Sequence, residues 1–153
     1  MRQRVGALVL AALLGGCSEA EQPAIPDISQ LTSVNSQTFL DAYPRFQWLR
    51  FRTANGFWCE HDLDDAATGR VTCRGPRPDK GPGDWLVSVD ANNAATISPA
   101  PAADTEPERD AVLEPQHMVQ TTLLMCGAYS DGTLACRTSA HGFVLRPDST
   151  TLF

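Results

Sequence analysis

Two stretches of this chain echo one another: Gly69-Arg70-Val71-Thr72-Cys73-Arg74 and Gly132-Thr133-Leu134-Ala135-Cys136-Arg137. Each follows an earlier cysteine, Cys59 or Cys126, across a polar turn. No other feature constrains the fold as tightly, because a cystine across a hairpin fixes turn and strand register together. Ser130-Asp131-Gly132 reads as a three-residue hairpin loop, with Gly132 in the left-handed conformation that glycine adopts freely. Counting outward then pairs Tyr129 with Thr133 and Cys126 with Cys136. A five-residue loop over 64–68 likewise sets Cys59 opposite Cys73. Directly opposed β-carbons lie about 4.5–5.5 Å apart, close to disulfide range. Loops of this length are worth about 3 kcal/mol each through the entropy lost by the unfolded chain. Four cysteines admit three connectivities, and the hairpin count favours Cys59–Cys73 with Cys126–Cys136. Zinc is the rival use of four thiols, but there is no C-x-x-C and the spacings fit neither a knuckle nor a ribbon.

The rest of the domain reads as mainly β, a small antiparallel sandwich or barrel-like fold with two disulfide-stapled hairpins. Phe46-Gln47-Trp48-Leu49-Arg50-Phe51 is an aromatic-rich strand, and Asn55-Gly56 turns it back through Phe57-Trp58-Cys59. Further strands are expected over 69–74, 85–89, 123–126, 132–137 and 142–146. The Pro- and Gly-rich run over 75–83 is poor in ladder donors, and 98–110, with three prolines and several acids, reads as a disordered-like exposed loop. A helical turn is expected over 38–43, and a helix over 110–122, weakened by Pro115.

The N-terminus is built differently. Arg2 and Arg4 precede an apolar run over 5–14, of signal-peptide length and too short for the roughly 20 residues that cross a bilayer. It ends in Leu14-Gly15-Gly16-Cys17, which resembles the lipobox of bacterial lipoproteins. The resemblance implies a signal peptide over 1–16 cut just before Cys17, whose thiol carries a diacylglycerol by thioether acylation; palmitate is the expected acyl label. Setting Cys17 aside leaves an even set of four cysteines, as a disulfide framework requires. Two acyl chains anchor a protein stably where one binds marginally. The expected organisation is a lipidated flexible tether over 17–37 and a β domain over 38–153. The expected location is the cell membrane, lipid-anchored and facing the extracytoplasmic side, where cystines persist. Losing Arg2 and Arg4 leaves 10 Lys+Arg against 18 Asp+Glu. Such an acidic domain lacks a footprint for nucleic acid and is repelled by anionic lipid heads.

The last third adds a second likeness. Cys126, then Gly132-x-Leu134-x-Cys136, then His141-Gly142-Phe143-x-Leu145 and a terminal Leu152-Phe153 resemble exported and lipoprotein domains of unknown function from high-GC Gram-positive bacteria. Those carry F-x-S-P-S-G-N-I-x-C, then G-V-x-C, then G-H-G-F-x-L. The opening matches here at Phe51, Thr53, Gly56 and Cys59, without the Pro and one residue shorter; Ala140 replaces the first Gly of the closing motif. The resemblance implies paired cysteines and an extracytoplasmic address, and no biochemistry.

Candidate chemistry is sparse. Glu60-His61-Asp62-Leu63-Asp64-Asp65 is the densest polar cluster. Asp62, Asp64 and Asp65 are weak metal candidates, because the alternating loop that aims several oxygens at one ion is missing. His141 and His61 are weak catalytic candidates; Ser139 is near His141 in sequence, but no nucleophile motif frames it. Trp48, Phe51, Phe57, Trp58 and Trp85 serve either as core or as a stacking platform for sugars. The leading expectation is a non-enzymatic interaction module without cofactor, held to the membrane by lipid and binding an envelope protein or glycan. The rivals are a glycan or small-ligand domain using exposed aromatics, and an envelope hydrolase using His141 or His61.

Overall fold

A computed structural model describes residues 24–65, 67–102 and 111–153; Cys17, the leader and most of the 98–110 loop lie outside them. Among the described residues thirteen strands run in order: β1 Thr32–Ser33, β2 Leu40–Tyr43, β3 Phe46–Thr53, β4 Trp58–Asp62, β5 Val71–Pro76, β6 Asp84–Val89, β7 Thr96–Pro99, β8 Val112–Leu113, β9 His117–Gln120, β10 Met125–Ala128, β11 Leu134–Arg137, β12 Gly142–Leu145 and β13 Thr150–Leu152. They form a sandwich-like pair of sheets rather than a closed barrel. One has the order β2-β3-β4-β5-β6-β7 with β8 also on β3, the other β1-β9-β10-β11-β12-β13.

Both hairpins have the expected register, with Cys59 opposite Cys73 and Cys126 opposite Cys136. Both pairs are joined as cystines with Cα atoms 4.1 Å apart. Gly132 has φ +84° at the turn, a conformation that a side chain would strain. All four cysteines point inward and are fully buried in one core with Leu49, Phe51, Val87, Leu134 and Phe143.

The sequence echo extends to the topology. β3–β7 and β9–β13 are each a five-strand antiparallel meander with the cystine across its second and third strands. The leading strands cross over: β1 pairs in parallel with β9, and β8 in parallel with β3. Even the loops correspond. The backbone N–H of Thr53 donates to Phe57 O and its hydroxyl accepts from Phe57 N; Thr121 and Leu124 repeat both bonds.

Three expectations are corrected. The helix expected over 110–122 is absent from its described residues, 111–122, where β8 and β9 lie. Pro115 withdraws a donor, Gln116 turns the chain at φ 65°, and Met118 and Val119 are both buried because this sheet is covered on both faces. Over 38–43, the turn comes earlier, as a 3-10 turn over Ser36–Phe39 capped by Asn35, and the chain then extends into β2. Residues 27–34, expected to be part of a flexible tether over 17–37, are folded onto the second sheet. Asp27 caps a 3-10 turn over Ile28–Gln30, and Ile28 and Leu31 are buried against β10. Gly127 makes room for them: a β-carbon there would lie 2.5 Å from Leu31 Cδ1 and 2.8 Å from Ile28 Cγ2. At the strand ends, β5 takes in Gly75 and Pro76, and β7 takes in Ser98 and Pro99. Proline is tolerated there, at a strand terminus or on an edge.

Candidate functional site

Strand alternation divides the aromatics. In β3, Leu49, Phe51 and Thr53 face the core, so Phe46, Trp48, Arg50 and Arg52 face outward. In β4, Cys59 and His61 face inward, and Trp58, Glu60 and Asp62 outward. The register sets Trp48 beside Asp62, Arg50 beside Glu60 and Arg52 beside Trp58, and sets Asp41 of β2 across from Trp48. The result is an outward, half-buried face with two tryptophans diagonal across a central arginine. The Arg50 guanidinium lies 5.3 Å from the Trp48 ring centroid and 6.0 Å from that of Trp58, the geometry of a cation–π contact on each side. It donates to Asp41 at 2.9 Å and lies 3.7 Å from Glu60. Further out, Arg74 pairs with Asp84 at 3.2 Å. Tyr43 and Phe46, directly opposed in register, extend the face to the hairpin tip and are 55% and 57% exposed. Phe51 and Phe57 are buried core residues. Trp85 is half-buried, and alternation places it with Val87 and Val89, on the opposite face from Trp48 and Trp58.

The matching outer face of the other sheet is not open. Ile28 and Leu31 lie over it, packed with Met118, Ala135 and Val144. Arg146 ties this strap down by donating to Ala24 O at 2.6 Å.

The polar candidates have structural partners. His61 is 2% exposed, on the inner side of β4. Its Nδ1 lies 2.9 Å from Arg70 O, an acceptor only, so Nδ1 carries the proton and Nε2 accepts from the Thr121 hydroxyl at 3.3 Å. Burial lowers the His61 pKa below the usual histidine value, opposed by the Arg70 bond and by Asp62 and Asp65. The bond to Thr121 joins one sheet to the other, and neither ring nitrogen is bonded to a carboxylate. A small cleft of about 130 Å³ is lined by His61, Asp62, Asp65 and Thr121. A larger one of about 380 Å³ runs past Gln120, Leu123, Arg137 and Ser139. His141 lines neither cleft, and its backbone closes a turn with Thr138.

The acids are turn-makers. Asp62 accepts from Asp64 N at 2.9 Å, and Asp64 from Gln47 N at 2.9 Å. Asp65 accepts from the backbone and hydroxyl of Thr68, which hold its pKa low. Among the described residues, no three His, Cys, Asp or Glu side chains are grouped to hold a metal ion.

Sequence reasoning named Trp48 and Trp58 but missed Arg50 between them, and the exposed Tyr43–Phe46 tip. A signal was present: W-x-R-x-R over 48–52 and W-x-E-x-D over 58–62 alternate with period two, which puts each set on one face. No family model, curated protein or solved structure matches the chain.

Proposed function

We propose that this chain is a membrane-anchored extracytoplasmic lipoprotein, acylated at Cys17, whose β domain is a non-enzymatic module that docks an envelope component on the outer face of the β2–β7 sheet. The observation that carries the reading is the Trp48–Arg50–Trp58 ladder, running into the exposed Tyr43 and Phe46. Proteins leave contiguous aromatic surface in water chiefly where something binds it. Two buried cystines fit an oxidising compartment. With Cys17 in the bilayer, the seven residues to Ala24 reach roughly 25 Å at full extension, so the module stands close to the membrane. Ala24 is held at Arg146, and Arg77 links that region to the β5–β6 loop. Asn55, just past the end of β3, donates to Gly132 O at the neighbouring turn. The Phe46 end of β3 lies roughly 23 Å away along the strand, so the aromatic tip points away from the anchor.

Two experiments test this. Metabolic labelling with palmitate should mark the wild type and not Cys17→Ser; persistent labelling of that variant refutes the anchor. Crosslinking on intact cells should capture an envelope component with the wild type and lose it with Trp48→Ala/Trp58→Ala. Capture that is indifferent to both rings refutes the docking face.

A further inference from the structure

We infer that residues 24–33 are a retractable length of the tether, seated on the module at rest and released when its docking face must reach further out; this rests on Cys17 being the anchor. The strap runs across the strands of its sheet. Arg146, just past β12, donates to Ala24 O at 2.6 Å. Ile28 and Leu31 lie over Gly127 of β10, and Thr32 and Ser33 pair with His117 and Met118 of β9. A chain laid across strands gains ladder bonds only where it turns to run along one. Here that is a two-residue parallel pairing, with Thr32 N–H on Gln116 O at 3.0 Å. The strap's apolar contacts are also separate from the main core. Ile28 and Leu31 pack with Met118, Ala135 and Val144, whereas Val34 and Phe39 pack into the inward core with Phe51 and the cystines. Release therefore leaves the main core closed and stops at Val34, whose N–H stays on Met118 O at 2.9 Å.

Load from the anchor enters at Ala24. The Arg146 bond, the two side chains and the short pairing take it in turn, so the strap peels contact by contact. Those few contacts stand against the conformational entropy of ordering the whole segment. The released state is therefore within reach of thermal opening, well below the cost of unfolding the domain. Full extension spans roughly 25 Å from Cys17 to Ala24 and roughly 60 Å from Cys17 to Val34. The seated strap covers the three spacings between β12 and β9, each about 4.8 Å, so release lifts the module by about 20 Å. An envelope component fixed above the seated reach binds only the released state, and its binding draws the strap out.

The test follows hydrogen exchange in the full chain in detergent micelles, read by mass spectrometry. Amides over 28–33 should exchange about a hundredfold faster than those of β4 and β5, and stay indifferent to about 1 M urea that accelerates the latter. Pulled between residue 17 and the C-terminus in magnetic tweezers, the chain should lengthen reversibly by about 20 Å before the domain unfolds, at a lower force in Gly127→Ala. Exchange over 28–33 that rises with urea in step with β4 and β5 overturns the inference. So does a chain that lengthens only as the domain unfolds. Neither readout uses the aromatic face, so the strap can fail while capture dependent on Trp48 and Trp58 stands, and the reverse. Palmitate labelling that persists in Cys17→Ser removes the anchor and the tether role with it, whatever the exchange shows.

Discussion

Removing the Arg77 guanidinium should cost this domain more than any other single polar substitution. Arg77 is 1% exposed, and it donates to Thr150 Oγ1 at 2.9 Å, Arg146 O at 2.7 Å and Ser149 O at 2.6 Å. It also pairs with Asp79 at 2.7 Å. The charge sits in the β5–β6 loop and its acceptors in and around the β12–β13 turn, so the group bolts one sheet to the other. Arg77→Met preserves most of the volume but takes one buried donor each from Arg146 O, Ser149 O and Asp79; Ser149 O keeps Arg146 N–H and Asp79 keeps Lys80 at 3.7 Å. Breaking a buried pair from one side costs about 3–5 kcal/mol, a large share of the roughly 5–15 kcal/mol that holds a domain folded. The melting temperature should fall by about 10–20 °C, and the urea midpoint should drop with little change in slope. Arg77→Lys should recover less than half, since one ammonium cannot reproduce the fork. Arg77→Met/Asp79→Ala should recover up to about 1 kcal/mol over Arg77→Met, because the second change removes a carboxylate that has lost its guanidinium and keeps only Lys80 and Thr150. If Arg77→Met lies within about 1 kcal/mol of wild type, the buried fork is not what joins the sheets.

The other consequences concern the core and the strap. His61 has a folded-state pKa below its unfolded value, chiefly through burial, so the unfolded chain takes the proton first. Its contribution is therefore complete above about pH 6.5 and fades as pH falls below that, by up to about 1.4 kcal/mol per pH unit; His61→Gln should flatten a urea-unfolding series between about pH 6.5 and 5, and an unchanged slope would exclude His61 as its source. Non-reducing peptide mapping should recover 59–73 and 126–136 linkages, and converting either pair to alanines should lower stability by about 2–4 kcal/mol; a loss below about 1 kcal/mol would contradict the chain-entropy account. Gly127→Ala places a β-carbon against Leu31 and Ile28 and should cost about 1–3 kcal/mol while speeding proteolysis over 24–34; a cleavage rate equal to wild type would mean the strap does not depend on that seat.

What could be read from the sequence was whatever has a local cause. The cystine hairpins follow from turn length and the two-residue strand period, and the structure reproduces both pairings. The strap was read as tether because Ile25, Ile28, Leu31 and Val34 are scattered through a polar stretch, and the seat of Ile28 and Leu31 is a glycine almost a hundred positions away. The 110–122 segment failed for a related reason. Burial on both faces erases the alternation that marks a strand, so Met118-Val119 gives no period to read. For the candidate face, the aromatics were visible but their setting was not. Arg50 gains its significance from Asp41, Glu60 and Trp58, which lie on neighbouring strands.

The internal repeat explains why the strap over 27–34 seats on the outer face of one sheet and not on that of the other. Both meanders carry the same inward row across their strands, Phe51–Cys59–Cys73–Val87–Ile97 in one sheet and Val119–Cys126–Cys136–Phe143–Leu152 in the other. Packing the two rows together builds the core and leaves two equivalent outer faces. The residue after the first cystine half differs: Gly127 in one repeat, Glu60 in the other. Glycine admits the chain's own strap, and Ala135 and Val144 beside it complete an apolar bed. Glutamate, with Arg50 and two tryptophans around it, makes a face that no described segment of the chain covers. The same scaffold position thus contributes to whether the strap can seat on a meander. Replacing Glu60 with glycine would not by itself make a second apolar bed there, since Trp48, Arg50 and Trp58 would remain.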